Sequence, residues 1–482
     1  MTPSSESPEK VAIRFEGEEI TYGDLERAVV GLAAALRERW GVAAGDRVAY
    51  LGFNHPLALE LLFACARLGA IFVPLNWRLA PPEHREILRD CSPKVLFAGA
   101  ELRSHADELG AGIETVGTDA VELPAGPGAA LPAARPSAPV LLVYTSGATG
   151  RPKGVLLTQQ ALSWNARNSI VAHDLTSADH VLTVLPMFHV GGLNIHTTPA
   201  LAAGARVTLH ARFDAAATLR AINADHPTLL LVVPQVSLAM TNHPAWGSTD
   251  LSSLRLVTTG SSIIPAAVIR AWHERGIPVT QVYGLTESAP VAICLRREDA
   301  RRKAGSCGKP VVHCEARILD EAGREAAPGE IGEILLRGPN LFREYWGDPD
   351  ATKASFLDGW LRTGDLGHQD GEGFFYVDDR KKDVVISGGE NIRPAELENV
   401  LAESEAILEA AVVGCPDERW GEVPVAFVVV KPGSVLTRAH VLALFDGRVA
   451  RFKHPRDVVF LDRLPRNAMG KVLKQELRTR SR

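Results

Sequence analysis

Tyr144-Thr145-Ser146-Gly147-Ala148-Thr149-Gly150-Arg151-Pro152-Lys153-Gly154-Val155 follows directly on the apolar, strand-like run Val140 to Val143. It packs hydroxyls, glycines and one lysine into a single loop. Glycine lets backbone N–H groups turn toward one point, where they form a concave nest for anionic oxygens. Thr145, Ser146 and Thr149 add neutral donors, Lys153 adds a full charge, and Gly147, Ala148 and Gly150 complete the cradle. The loop therefore reads as a holder of polyphosphate. It is not a kinase-type P-loop, because no Gly-Lys-Ser/Thr stands at the required spacing. A plain surface turn would account for the glycines but not for the Pro-Lys-Gly that follows them.

Outward from this loop, short apolar runs alternate with helical patterns. Leu25 to Trp40 reads as an amphipathic helix stopped by Gly41, and residues 57–69 as a buried helix running into the strand Ile71-Phe72-Val73-Pro74. The alternation resumes at Val181, Ala205, Leu229, Leu254 and Val279. It marks a layered α/β domain with mostly parallel strands. From about Gly308 short strands and turns take over, predicting a β subdomain, and after Arg380 a compact α+β region follows. The expectation is a large N-terminal domain (1–379) and a small mobile C-terminal domain (380–482), hinged near 380–383. At 482 residues more than one domain is required.

A net charge of −5 gives no general electrostatic reason to bind nucleic acid. The six cysteines form no C-x-x-C pair or metal-ligand spacing, as expected of thiols in a reducing compartment. Residues 1–10 lack a signal pattern, and Leu57 to Leu75 is interrupted by Glu60 and Arg67, so neither secretion nor a membrane span is expected. The reading is cytoplasmic, and a homodimer is compatible with it.

Four further clusters carry chemistry. Tyr283-Gly284-Leu285-Thr286-Glu287 follows an apolar strand, so Thr286 and Glu287 lie on its carboxyl-end loop, where open parallel sheets bind ligands. A carboxylate there, near a triphosphate, would organise Mg²⁺, although a helix cap would be spelled the same way. Trp360-Leu361-Arg362-Thr363-Gly364-Asp365 ends in an aspartate freed by a glycine turn; it suits ribose hydroxyls and an Asx-turn equally. Asp379-Arg380-Lys381-Lys382-Asp383 leads into Ser387-Gly388-Gly389-Glu390-Asn391. Pro465 to Lys471 places a lysine after a glycine turn.

Taken together, in this order and over nearly the whole chain, these motifs resemble the adenylate-forming superfamily of acyl-CoA synthetases, luciferases and adenylation domains. Leu185-Pro186-Met187-Phe188-His189 and Ile386-Ser387-Gly388-Gly389-Glu390-Asn391 are closest in texture to bacterial fatty-acyl-CoA ligases. Two departures are Ala148, where the family usually has threonine, and Thr259-Gly260-Ser261-Ser262 on the adenine side. The resemblance implies ATP, Mg²⁺ and coenzyme A, and a reaction in two steps. The carboxylate attacks the α-phosphorus to give acyl-adenylate and pyrophosphate, and the CoA thiolate then displaces AMP. Thr145, Ser146, Gly147, Ala148, Thr149, Gly150 and Lys153 would hold phosphates. Gly260, Ser261, Tyr283 and Gly284 would face the nucleotide, and Thr286 would touch the α-phosphate. Glu287 and Thr145 would serve the metal, and Asp365 with Arg380 would grip the ribose. Lys471 would act in the first step; a swing about Lys382 would replace it with the Gly388-Gly389 loop, past which the pantetheine arm threads. His189 would border the acyl pocket, unless it is only a packed core histidine.

The segments expected around the acid (164–168, 189–197, 233–237, 288–291) read as mostly small and apolar. They offer no arginine clamp for a second carboxylate. Medium- or long-chain fatty acids therefore lead, with aryl or alicyclic acids second. An acyl-AMP ligase that loads a carrier protein is a rival enzyme. A scaffold that has kept the fold without turnover is a rival of another class, opposed by the joint presence of Lys153, Glu287, Asp365, Arg380 and Lys471.

Overall fold

The computed structural model describes residues 7–480 except 110–111, 121–134, 147–151, 262–263, 265, 389, 418 and 467–471. Two large sheets form its body. The first has nine strands, and six of them run parallel: Val279–Tyr283, Leu256–Thr259, Leu229–Val232, His180–Thr183, Arg206–Leu209 and Val11–Phe15, in that spatial order. The second has seven strands, with Ile71–Pro74 parallel to both Arg47–Leu51 and Pro139–Ser146. Between them lie the helices Tyr22–Trp40 and Pro56–Leu68, whose Leu25, Leu32, Leu36, Leu59 and Leu62 pack against buried residues of both sheets. Each such leucine contributes roughly 1.5–3 kcal/mol by leaving water. The longer helix starts at a capping box, Thr21 with Asp24, and stops at Gly41 in the left-handed conformation.

The outer face of the first sheet is covered by helices carrying Leu219, Ile222, Met240, Ile269 and Trp272. That of the second is covered by Ile87, Leu88 and Cys91. The result is five alternating layers. A five-stranded, mainly antiparallel sheet follows, built from Glu315–Leu319, Gly332–Arg337, Phe356–Leu357, Trp360–Gln369 and Phe375–Arg380. The last unit is another five-stranded sheet centred on Gly421–Val430, with Leu397, Leu401 and Phe445 on one face and Leu464 and Leu477 on the other. The mixed α/β architecture is thus the one the alternation predicts. Among the described residues no helix is long and apolar enough to cross a membrane.

Candidate active site

The glycine- and hydroxyl-rich run begins and ends in two paired strands. Pro139–Ser146 pairs antiparallel with Pro152–Thr158, in a register that sets Thr145 opposite Lys153 and Tyr144 opposite Gly154. Gly147, Ala148, Thr149 and Gly150 lie outside the described residues. Thr145 Oγ1 donates to the Lys153 carbonyl at 3.4 Å. The Lys153 ammonium stands 3.9 Å from Asp348 Oδ2 and 5.2 Å from the ring centre of Tyr345. Tyr345 reaches this position because Glu344–Tyr345 pairs with Val155 and Leu156 on the edge of the same strand pair. Its hydroxyl donates to Glu287 Oε1 at 2.7 Å, and the Phe342 amide donates to the Glu287 carbonyl, also at 2.7 Å. Burial and the neighbouring carboxylate push the Tyr345 pKa up, so it remains a donor. The lysine and the carboxylate, 134 positions apart in sequence numbering (287 − 153), are thus joined through one phenol. Asp348 carries no signal that singles it out in the sequence.

The second cluster sits at the carboxyl ends of the central parallel strands. Tyr283 closes one strand, and its hydroxyl donates to Asp365 Oδ2 at 2.9 Å. Arg380 Nε lies 3.0 Å from Asp365 Oδ1, and the two residues are direct partners in the antiparallel ladder. Burial, then the Asp365 charge, raises the Tyr283 pKa well above its ordinary value. Asp365 does not sit on a turn, as the sequence suggests. It lies within the long strand Trp360–Gln369, beside Gly364 at φ 68°, where the ladder shifts register. The glycine distorts the strand instead of ending it.

Two glycines bring backbone close to this cluster. A Cβ at Gly284 would stand 1.7 Å from the Pro290 carbonyl oxygen, and one at Gly260 would stand 2.9 Å from Val282 Cγ1. Ser261 is exposed, with φ 72°. Thr286 is buried in the 3₁₀ turn Thr286–Ser288, which the Ser288 hydroxyl ties to the Leu285 amide.

His189 is partly exposed, yet its neighbours crowd it enough that desolvation lowers its pKa to about 4. Its Nδ1 accepts from the Gly191 amide at 3.0 Å, which fixes the neutral tautomer with the proton on Nε2. Three of the four segments expected around the acid meet at Asn165: its amide group donates to Asn194 O at 2.7 Å and accepts from Val291 N at 2.9 Å. These segments also bury polar atoms. Asn168 Oδ1, Asn194 Nδ2 and both ring nitrogens of His196 are buried with no hydrogen-bond partner among the described residues. The segment 233–237 instead lines a separate cleft of about 260 Å³, with Trp77, Pro186 and Phe213.

In the small domain, Gly388 has φ 60°, and a Cβ there would meet the Trp420 ring at 2.6 Å. Ile386 on this hairpin and Trp420, whose carbonyl accepts from the Gly388 amide, are 57% and 36% exposed, so Gly388 lies on an open surface. Lys382 lies in the 3₁₀ turn Lys381–Asp383. Gly389 and Lys471 lie outside the described residues.

Comparison with known proteins fits this geometry. The model of AMP-binding enzymes matches residues 3–346, and that of their C-terminal domain matches 396–471. The chain belongs to this adenylate-forming family of AMP-binding enzymes. Its relatives place it among the AMP-forming acid–thiol ligases. It is 52% identical to an indoleacetate–CoA ligase of Aromatoleum aromaticum, over 98% of this chain and 95% of that one. It is 44% identical to a feruloyl-CoA synthase of an Amycolatopsis species, over 98% and 96%. Among solved structures, ATP-bound MatB from Rhodopseudomonas palustris superposes with a TM-score of 0.91 at 32% identity, covering 99% of this chain and 97% of its own. Apo MatB, with the same coverage, superposes at 0.80.

Proposed function

We propose that the chain is an ATP-dependent ligase that joins an aryl or arylalkyl carboxylic acid to coenzyme A through an acyl-adenylate. The cofactors are ATP, Mg²⁺ and CoA. The observation that carries the choice of acid is the pair of relatives, 52% and 44% identical, that are named for indoleacetate and for ferulate. The fatty-acid reading, which leads from the sequence, thus gives way to its aryl alternative.

The described residues fit the nucleotide. Gly260 and Gly284 end two adjacent strands where neighbouring protein atoms leave no room for a side chain, beside the expected place of the base. Asp365, bridged between Tyr283 and Arg380, presents a buried carboxylate to ribose hydroxyls. Glu287 has one oxygen held by Tyr345, and the other is the natural contact for Mg²⁺. Among the described residues no cluster of three or more metal ligands exists. That suits an ion held mainly by phosphates and water. When bound, Mg²⁺ neutralises the phosphates so that a second anion can approach.

Lys153 and the run before it hold the β- and γ-phosphates, and Thr286 orients the α-phosphate. Lys471 stabilises charge between that group and the attacking carboxylate; one such preorganised contact is worth about 10²–10³ in rate. The open surface at Gly388 and the closer match to ATP-bound than to apo MatB support an arrangement set for this first step. A swing about Lys382, the boundary of domains 1–379 and 380–482, then brings Gly388 and Gly389 to the cleft. His189, neutral at physiological pH, borders the acid during thiolate attack without adding charge.

A panel of acids assayed with CoA for AMP release tests the reading. Indole- and hydroxyaryl-substituted acids should exceed fatty acids of equal length by at least tenfold in kcat/KM, and the reverse order would overturn the aryl assignment.

A further inference from the structure

A buried carboxylate and a half-buried lysine hold one helix of the small domain, the carboxylate from across the domain boundary. Asp379 is the penultimate residue of the strand Phe375–Arg380, paired with Leu366 and 6% exposed. Its Oδ1 accepts from the Arg380 amide at 2.7 Å, and its Oδ2 accepts from the Ala395 amide at 3.1 Å. Ala395 is the second residue of the helix Pro394–Ala402, whose own N-cap, Arg393, makes no side-chain capping bond. Asp379 therefore supplies, from the far side of the boundary, the acceptor that this helix lacks. Close by, Lys474 Nζ lies 2.8 Å from Glu398 Oε1 on the same helix, and the Val412 amide holds that oxygen at 2.8 Å. Burial opposes the charge on Lys474, but Glu398 and then Asp379 outweigh it and raise its pKa. Lys474 opens the final helix, Lys474–Arg480. The bridge Arg466↔Val472 closes loop 467–471 immediately before it.

Ala395 and Lys474 follow the Lys381–Asp383 turn in the chain and Asp379 precedes it, so rotation about that turn separates them. We infer that Asp379, which caps this helix from across the boundary, and Lys474, which Glu398 ties to the same helix, are positioning residues that clasp the small domain in the arrangement seen here. They serve adenylate formation and not thioester formation. The inference rests on the two-step reading above.

Asp379→Ala should lower acid-dependent ATP–pyrophosphate exchange about five- to tenfold, the worth of one capping acceptor. The KM for ATP should stay fixed, and thioester formation from supplied acyl-adenylate should be unchanged or faster. Lys474→Met should do the same, and the double variant should be no worse than the poorer single one, because the two side chains act together. Asp379→Asn, which keeps an acceptor, should fall between wild type and Asp379→Ala, and it serves if the alanine variant does not fold. Spin labels at Glu321→Cys and Val435→Cys report the domain arrangement with a non-hydrolysable ATP analogue and no acid. The clasp predicts one dominant distance in the otherwise wild-type chain and a redistribution in Asp379→Ala. Equal loss of both half-reactions, or a raised ATP KM with unmoved distances, would overturn it. Wild-type chain that exchanges with no acid would sink the proposed function, while the distance measurement still decides the clasp.

Discussion

The Glu287 carboxylate is aimed by Tyr345, a residue with no chemistry of its own in this reaction. Its phenol uses one carboxylate oxygen as acceptor and leaves the other for the proposed Mg²⁺ contact. Supporting partners of this kind are typically worth 10- to 100-fold in metal affinity. Tyr345→Phe is therefore expected to raise the Mg²⁺ concentration for half-maximal adenylation about tenfold, with little change in the KM for the acid; a titration of pyrophosphate exchange against Mg²⁺ checks this. At this scale the sequence shows which residue types are present but not whom they meet. Asp365 and Arg380 are legible as separate motifs, but their ladder pairing and the Tyr283 hydroxyl between them depend on tertiary register. Asn165 and Asn194 are likewise dispersed among small apolar residues in the chain, and folding joins them.

Elements are read more securely than contacts, because hydrophobic periodicity and glycine stops act locally. The helix ending at Gly41, the helix before Gly69 and the strand Val279–Tyr283 all stand where the pattern puts them. What the pattern cannot supply is the partner of each strand. The glycine- and hydroxyl-rich run is flanked by partners, because Pro152–Thr158 returns along Pro139–Ser146, a pairing that an apolar run alone does not encode. The two loops of the small domain set the corresponding test. Gly389→Trp should let acyl-AMP accumulate while CoA transfer stops, and Lys471→Ala should abolish adenylation yet spare thioester formation from supplied adenylate. Quenched-flow measurement of acyl-AMP distinguishes these outcomes from a common loss.

Across the whole molecule, histidines held neutral in the core set a limit on acid stability. His84, His173 and His180 are each buried, and desolvation lowers each pKa to about 4, with His105 adding to the effect on His84 and Arg206 on His180. The unfolded chain protonates them near 6.5 and so binds more protons than the folded one between pH 6.5 and 4. Stability is thus complete above about pH 7 and falls as pH drops through that window. Urea midpoints should be flat from pH 7 to 8 and decline steadily below 6.5. Alternating runs in the sequence anticipate the layered architecture, whereas the order of the nine strands follows from crossovers that composition does not record. The ceiling over Gly284 has a consequence at this scale too. With a carbonyl oxygen 1.7 Å from where a methyl group would go, the nucleotide side admits no lateral change. Any side chain at position 284 would have to push the Pro290 backbone aside, so a change there disturbs the turn that carries Thr286 and Glu287 before it alters any ligand contact.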